Sequence, residues 1–384
     1  LSDVKEDLTK LDDFVSQFSL RELADFTVCN GSCWRPGKSG AAGKLASSKR
    51  LGVPTLYMSD GNCCVNLNRP TTGFPSSNLL AGTFNKSLAY KVGKVLADES
   101  KENGISINLG PGGNLHRNIL CGRHPEYYSE DPILTGTLMA YQARGLEENG
   151  VIATYKHLIA NNMEFERKSA HGIIDENTLR DLYLRVFDKA FSLYKPGCVM
   201  TSYNPVNGIY PCENSALLND LLRGEWGFDG FVMTDWGSYD TADSIRSVCA
   251  GTNLLTPGSK KHFRMILKAV KRNEISKAAL QADSESSCEV HMKITVNKNA
   301  KTIPTNFSWQ FGVGNDHAFQ LHRKDVCDHV KLVHDELGMK YIRFHGVFDD
   351  DMLCFQRLSD YKPFAAVPFS NKLPMFLTMF LPAE

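Results

Sequence analysis

Residues 231–236 read FVMTDW, an apolar run that ends abruptly in a polar Asp-Trp pair. The run is β-branched and apolar and too short for a buried helix, so it predicts a buried β-strand. Similar runs occur upstream, and each ends in polar, Gly or Pro residues: VPTLYMSD (53–60), ISINLGP (105–111), VIATYKH (151–157) and CVMTSYN (198–204). A shorter run lies within AGTNLLTPG (250–258).

Amphipathic stretches separate these predicted strands. Residues 87–103 and 175–194 place apolar side chains at helical spacing, and Pro132 opens a third helix that ends before Gly150. Residues 263–276, FRMILKAVKRNEIS, predict a closing helix. Alternation of strand and helix indicates a parallel sheet, so we predict an α/β fold with a TIM-like (β/α)8 barrel over residues 1–280.

Polar side chains follow the predicted strands at the point where each strand ends. The carboxyl ends of parallel barrel strands meet at one mouth, where barrel enzymes carry their active sites. The residues that this places together are Asp60, Pro111-Gly112, Lys156-His157, Tyr203-Asn204 and Asp235-Trp236. The sequence therefore predicts a functional site at this mouth.

Composition limits the classes of partner. The chain has 43 Lys plus Arg and 43 Asp plus Glu, so no large basic field is available for nucleic acid or an anionic membrane. The 11 cysteines show no metal-ligand or disulfide spacing, which favours reduced thiols and no metal. We expect a small neutral substrate, no cofactor and, since the first residues LSDVKEDLTKLDDF do not have the pattern of a signal peptide, a cytoplasmic protein. Oligomeric state is not indicated.

Several segments, in order, resemble one enzyme family. They are GVPTLYMSDG (52–61), TGFPSSNLLA (72–81), INLGPGGNLHR (107–117), GRHPEYYSEDP (122–132), VIATYKHLIANN (151–162) and LRGEWGFDGFVMTDWGSYD (222–240). Over about residues 15–280 the chain is similar to the N-terminal barrel of glycoside hydrolase family 3, the bacterial β-glucosidase type. The resemblance implies a retaining exo-β-glycosidase that removes a nonreducing-end sugar from a β-linked glucoside or short oligosaccharide. A β-xylosidase and an inactive sugar-binding barrel are the alternatives.

The same resemblance implies roles for individual residues. MTDWG places the catalytic nucleophile on Asp235, and Asp60 would accept sugar hydroxyls, although the family's DGPHG after that strand is DGNCCVN here. Retaining hydrolysis needs a second carboxyl group about 5–5.5 Å from the nucleophile as acid/base. The other expected substrate-binding residues are Arg123, Lys156, His157, Arg167, Tyr203 and Trp236.

The last part of the chain resembles a different family. Residues 303–352 are similar to the start of the barrel of glycoside hydrolase family 39, the β-xylosidase type. The Ser-rich and acidic composition of KAALQADSESSCEV (277–290) predicts a linker or domain boundary, which we place at 281–289. We expect an incomplete α/β fragment at 290–384, with strands at 290–296 and 340–348 and a helix between them. The resemblance implies a chimera in which the family 3 acid/base domain is missing and leaving-group protonation is impaired.

Two further possibilities concern single residues. Some single-domain family 3 enzymes use a loop histidine as acid/base; Ser169-Ala170-His171 falls at a similar distance from Lys156 but lacks the supporting Asp, so we expect His171 to be an exposed loop residue. A phosphate-handling barrel such as an aldolase, with a Schiff base on Lys156, is the alternative from another class of enzyme.

Overall fold

The computed structural model describes residues 4, 7–29, 40–293, 313–317 and 342–345. The chain divides into two compact units. The first contains residues 1–71 and 76–298, and the second contains residues 72–75 and 299–384. The first unit holds all the residues expected at the site.

The first unit is built around one six-stranded sheet, in sequence order across the sheet. Its strands are β1 (Gly43–Lys44), β2 (Tyr57–Asp60), β3 (Ile107–Leu109), β4 (Ile152–Leu158), β5 (Cys198–Thr201) and β6 (Phe231–Met233). Strands β2 to β6 pair in parallel. β1 pairs antiparallel with β2, which departs from the all-parallel sheet expected of the sequence.

Single bridges extend this sheet beyond β6. Leu254 bridges Met233 in parallel, and Leu255 bridges Val28 in parallel. The sheet therefore curls from β1 through β6 and on to the segment before residue 30, which is an α/β barrel-like fold. Its interior is filled by buried apolar side chains from successive strands: Met58, Ile107, Leu109, Ile152, Cys198, Met200, Phe231, Met233 and Leu254.

Helices cover the outside of the curled sheet. They are α1 (Leu11–Ser16), α2 (Leu20–Phe26), α3 (Ser77–Gly82), α4 (Lys86–Glu102), α5 (Pro132–Glu147), α6 (Glu176–Thr178), α7 (Arg185–Leu193), α8 (Ser244–Cys249), α9 (Lys260–Lys271) and α10 (Lys277–Lys293), with π-helices at Leu179–Leu184 and Ala216–Glu225. The amphipathic stretches in the sequence predicted α4, α5, the helical region 176–193 and α9 at these places.

The pair α4 and α5 shows how local sequence fixes the packing. Asn85 and Asp131 accept hydrogen bonds from backbone N–H groups in the first turns, which caps the two helices. Where the helices cross, a Cβ atom at Gly93 would collide with the Gln142 carbonyl and one at Gly145 with the Tyr90 carbonyl. Both positions therefore need glycine for the two backbones to approach.

The linker predicted at residues 281–289 is wrong, because these residues lie inside α10. Ser284, Ser287 and Cys288 are fully buried, and Val290 joins the interior cluster of the sheet with Ile152, Cys198 and Phe231. Those three residues begin β4, β5 and β6. Helix α10 therefore covers the amino-terminal ends of the strands, and its small polar residues fit a tight contact that composition alone cannot reveal.

The second unit contains a short parallel sheet of β7 (Val313–His317) and β8 (Ile342–His345). The strand expected at 340–348 is present as β8, whereas residues 290–293 of the strand expected at 290–296 are helical. The helix expected between them lies outside the described residues. The family 39-like fold of this fragment stays a prediction.

No helix in the described part of the chain is long and apolar enough to cross a membrane. Among the same residues, no group of three or more His, Cys, Asp or Glu side chains is placed so that it could hold a metal ion.

Candidate active site

The carboxyl ends of the parallel strands bring the predicted polar residues together. Asp60 ends β2, Lys156 and His157 lie near the end of β4, and Asp235 follows β6. They share one cavity of about 270 Å³ that is lined by Ala42, Asp60, Arg123, Lys156, His157, Arg167, Met200, Tyr203, Asp235 and Trp236. All eight residues for which the family resemblance implied a role are in this lining, whereas Pro111, Gly112 and Asn204, which the strand ends also placed at the mouth, are not.

Asp235 lines the cavity with one carboxylate oxygen hydrogen-bonded and the other buried without a hydrogen-bond partner among the described residues. Its Oδ1 accepts the Trp236 backbone N–H at 2.7 Å. Its Oδ2 has no hydrogen-bond partner among the described residues and lies 3.4 Å from His157 Nε2 and 4.0 Å from Arg123 Nη1. The side chain is 9% exposed. A buried carboxylate oxygen without a partner is costly unless a ligand uses it, so this geometry suits attack on a bound molecule.

Burial and charge act in opposite directions on Asp235. Burial raises its pKa above the ordinary value, while the Arg123 guanidinium and the Lys156 ammonium oppose that rise. The two cations therefore favour the ionised, nucleophilic form. Removing either cation would push the pKa of Asp235 further up.

His157 is neutral and makes hydrogen bonds through both of its ring nitrogens. Burial, with Arg123 and Lys156 nearby, holds its pKa well below the usual range. Arg123 Nη2 donates to its Nε2 at 2.9 Å, so the ring proton belongs on Nδ1, which faces Asn114 Oδ1 at 3.2 Å and the Tyr127 hydroxyl at 3.1 Å. The ring orientation is thus fixed from both sides.

Glu126 joins the two site cations. Its Oε2 accepts from Arg123 Nε at 2.6 Å and its Oε1 contacts Lys156 Nζ at 2.8 Å. Two neighbouring cations hold the pKa of this carboxyl well below its ordinary value despite burial. Lys156 is therefore a fixed ammonium facing a carboxylate, which argues against the Schiff-base lysine of an aldolase.

Replacing Glu126 with Gln should destabilise the protein by about 2–4 kcal/mol in urea unfolding at pH 7. The substitution keeps the side-chain shape but leaves two largely buried cations without their shared counter-charge. Glu148→Gln, which breaks the exposed pair with Arg144, is the matched control and should cost less than about 1 kcal/mol. Equal losses for the two variants would contradict the assigned importance of Glu126.

Tyr203, Trp236 and Arg167 form the remaining wall. The Tyr203 hydroxyl donates to the Trp236 backbone carbonyl at 2.7 Å, and burial raises its pKa, so it stays a proton donor. The Arg167 guanidinium lies 4.6 Å from the Tyr203 ring centroid and pairs with Glu164 at 3.0 Å. An aromatic surface beside a cation gives the cavity one apolar wall and one donor-rich wall.

Three residues that support the cavity lining were not predicted from the sequence: Asn114, Glu126 and Tyr127. Each lies within a segment that resembled the family, in INLGPGGNLHR or GRHPEYYSEDP. None of the three directly follows a predicted strand, so selecting the polar residues at strand ends did not identify them. Asp60 is exposed, and His171 is also exposed and absent from the described cavity lining, as expected for a loop residue.

Comparison with known proteins identifies two families in the chain. Residues 39–286 match the glycosyl hydrolase family 3 N-terminal domain, and residues 292–379 match the glycosyl hydrolases of family 39. Residues 287–291 separate the two matches. This boundary overlaps the segment predicted at 281–289, but it lies within the last part of α10 rather than in an exposed linker.

The similar proteins are β-glucosidases by name. Thermostable beta-glucosidase B of Acetivibrio thermocellus is 38% identical over 263 residues, which is 65% of this chain and 35% of that protein. Probable beta-glucosidase I of Aspergillus flavus is 40% identical over 239 residues, 60% of this chain and 28% of that protein. The chain thus spans about a third of the length of the curated relatives it matches.

Solved structures agree with the sequence relatives. The structure of beta-glucosidase 3B from Thermotoga neapolitana in complex with alpha-D-glucose has a TM-score of 0.71 and 35% identity, covering 74% of this chain and 42% of that chain. With a family match over residues 39–286 and this structural likeness, the chain belongs to glycosyl hydrolase family 3, through that family's N-terminal domain.

Proposed function

We propose that the barrel-like unit acts on terminal β-linked glucosides as a retaining exo-β-glycosidase, with Asp235 as the nucleophile. The observation that carries this proposal is the free Oδ2 of Asp235, buried at the cavity and flanked by Arg123 and His157. In a retaining mechanism such a carboxylate attacks the anomeric carbon and forms a covalent glycosyl-enzyme intermediate, which water then hydrolyses.

The cavity chemistry favours one sugar ring. Asp60 supplies acceptors for hydroxyl groups, and Arg123, Lys156 and His157 supply donors or a relay. A volume of about 270 Å³ lies just below the ~300–1,000 Å³ typical of larger ligand sites. Relatives named as β-glucosidases, and a solved relative in complex with glucose, support glucose as that ring.

We propose that the complete architecture is the (β/α)8 barrel expected from the sequence. The parallel run β2–β6 and the parallel bridges of Leu254 with Met233 and of Leu255 with Val28 support this assignment, since they bring the described strand segments to eight. Among these segments β1, which pairs antiparallel with β2, departs from the all-parallel pattern. In such a barrel the active site lies at the carboxyl ends of the strands. Helix α10 covers the opposite end.

Protonation of the leaving group is the step that we propose to be impaired. Among the described residues that line the cavity, the carboxyl groups are Asp60 and Asp235. Glu126 is kept ionised by its two cations and is therefore a poor proton donor. The residues after the barrel match family 39. Loss of a general acid costs roughly 10²–10⁴-fold in rate, but far less when the leaving group needs no proton.

A leaving-group comparison tests the proposal. We expect the chain to release dinitrophenol from an activated aryl β-glucoside and to hydrolyse cellobiose roughly 10²–10⁴-fold more slowly. Asp235→Asn should remove the first activity. Turnover that survives in Asp235→Asn, or a wild-type chain that neither binds glucose nor cleaves the aryl glucoside, would contradict the proposal.

Two other outcomes would assign a different function. Glucose binding without turnover of either substrate would identify a sugar-binding barrel, which the ionised state of Glu126 and the family 39 match favour. Faster release from the corresponding aryl β-xyloside would identify a β-xylosidase. Glucose binding, together with the rates of release from the aryl β-glucoside and the aryl β-xyloside, therefore separates the three functions.

A further inference from the structure

Two stacked histidines, His116 and His124, lie in or next to the turn that carries Arg123 and Glu126. The rings of His116 and His124 are nearly parallel, with centroids 4.2 Å apart and planes at 22°. His116 lies in the loop after β3, and His124 begins a 3₁₀ turn, His124–Glu126, whose preceding residue is Arg123. Neither histidine lines the described part of the cavity.

His116 ties together the two ends of this turn. Its Nε2 lies 3.1 Å from the His124 carbonyl and 3.1 Å from the Tyr127 carbonyl. Both partners are acceptors only, so Nε2 carries the proton and donates to both. The His116 backbone N–H donates to the Ser129 carbonyl at 3.1 Å, which fixes the base of the same loop.

The charge state of the pair suits this arrangement. Burial lowers the pKa of both histidines, and at His116 the two carbonyls and Glu130 oppose that shift. Neutral rings stack without the repulsion that two imidazolium ions would suffer. In the neutral form His116 still keeps the one N–H group that the turn requires.

The turn held in this way delivers three groups to the site. Arg123 reaches His157 and approaches Asp235, Glu126 holds both Arg123 and Lys156, and the Tyr127 hydroxyl contacts His157 Nδ1. A shift of the turn would move all three together. A misplacement of about 1 Å can cost about 100-fold in rate.

We propose that His116 is a positioning residue of the sugar site: its Nε2–H clamps the 123–127 turn, and thereby sets the place of Arg123 beside Asp235. The catalytic consequence rests on the proposed function, since it concerns the reactivity of Asp235. The structural part does not, because it concerns the place of Arg123 in the folded chain. The groups that face Asp235 are Arg123, Lys156, His157 and Tyr203, and His116 acts on the first of them.

His116→Leu removes the donor, and His116→Gln retains an N–H group that can reach the carbonyls. We expect His116→Leu to lower the rate of Asp235 labelling by a 2-fluoro glucoside about 10- to 100-fold and to move its acid limb to higher pH, because a displaced Arg123 lowers the pKa of Asp235 less. His116→Gln should restore most of both. Arg117→Leu, an exposed neighbour in the same loop, is the control and should match wild type.

A double variant separates positioning from a general loss of structure. If His116 acts mainly through Arg123, adding His116→Leu to Arg123→Met should change the labelling rate by a clearly smaller factor than His116→Leu does in the wild-type chain. Independent, multiplying effects of the two substitutions would overturn the inference, as would an unshifted acid limb in His116→Leu.

One measurement needs no activity. The Arg123 Nε–H signal, assigned by its absence in Arg123→Met, should be protected from solvent exchange in the wild-type chain because it is bonded to Glu126. It should lose at least about tenfold of that protection in His116→Leu. Unchanged protection would refute the clamp even if no sugar were bound, whereas lost protection without any labelling of the wild type would refute the proposed function alone.

Discussion

Asp235→Asn is expected to abolish covalent labelling by an activated 2-fluoro β-glucoside and to lower aryl glucoside turnover by roughly 10³- to 10⁶-fold. The amide keeps the hydrogen bond from the Trp236 N–H but cannot attack the anomeric carbon. In the wild-type chain, mass spectrometry of the peptide that contains Asp235 should carry the glycosyl label. Asp240→Asn, an exposed carboxylate five positions along the chain, is the matched control.

Rescue of Asp235→Ala by azide gives a second test of Asp235 as the nucleophile. Because Asp235 lines the cavity and its Oδ2 has no hydrogen-bond partner among the described residues, Asp235→Ala should leave space for a small anion there. Added azide should restore release of the activated aglycone and yield the α-glucosyl azide, since the anion attacks from the face that Asp235 occupied. A label on another residue, or a β-configured azide product, would remove Asp235 from the nucleophile's role.

The pH dependence of labelling has a defined sign. Only ionised Asp235 reacts, and burial raises the pKa of this carboxyl above its ordinary value. The rate should therefore be highest above this raised pKa and fall as pH decreases through it, at a higher pH than for an exposed aspartate. His157, whose pKa is held well below the usual range, stays neutral over the same window. A rate that rises on acidification would contradict this assignment.

The sequence predicted the cavity lining well because a strand end is a local feature. An apolar run followed by Asp, Lys-His or Asp-Trp is visible in one chain, and parallel pairing brings such ends to one edge. Asp60, Lys156 and Asp235 were found in this way. Arg123 and Arg167 lie on loops, and only the family resemblance selected them.

The supporting contacts could not be found by the same reasoning. Glu126 matters because it meets Lys156 from another strand, and His116 because it reaches two carbonyls some ten residues away. Such contacts depend on how the loops fold back. Strand β1, only two residues long, is too short to show any alternation and so its antiparallel pairing was not foreseen.

At helix α10 the prediction itself was wrong, rather than a contact being missed. Its polar composition indicated a linker, because Ser, Asp and Glu are common in exposed connections. In the structure Asp283, Ser284 and Ser287 of this helix are buried against the sheet. A buried acid within this helix, Asp283, is thereby placed where a charge is expensive.

Asp283→Asn is expected to stabilise the protein by about 2–4 kcal/mol at pH 7.5, measured by urea unfolding. Asp283 Oδ1 accepts from Asn253 Nδ2 at 2.9 Å, while Oδ2 has no hydrogen-bond partner among the described residues. Burial raises the pKa of this carboxyl to about 7, with Asn253 and Arg223 opposing the rise. The folded protein thus holds a proton that the unfolded chain releases near its ordinary value of about 3.9.

The sign follows from this difference in proton binding. Between about pH 4 and pH 7 the unfolded state binds fewer protons at Asp283, so the side chain costs stability progressively as pH rises, at about 1.4 kcal/mol per pH unit. A shift of about three units sets an upper limit near 4 kcal/mol. Loss of the attraction to Arg223 on substitution lowers the expected gain towards 2 kcal/mol.

The pH profile identifies the cause of any gain. The advantage of Asp283→Asn over wild type should be near zero at pH 4, grow through pH 5 and 6, and level off above pH 7. Asp229→Asn, an exposed carboxylate before β6, should show no such profile. An advantage that is constant with pH would mean that packing rather than ionisation is responsible. A loss of stability at every pH would mean that the Arg223 attraction outweighs burial, and the raised pKa would then be wrong.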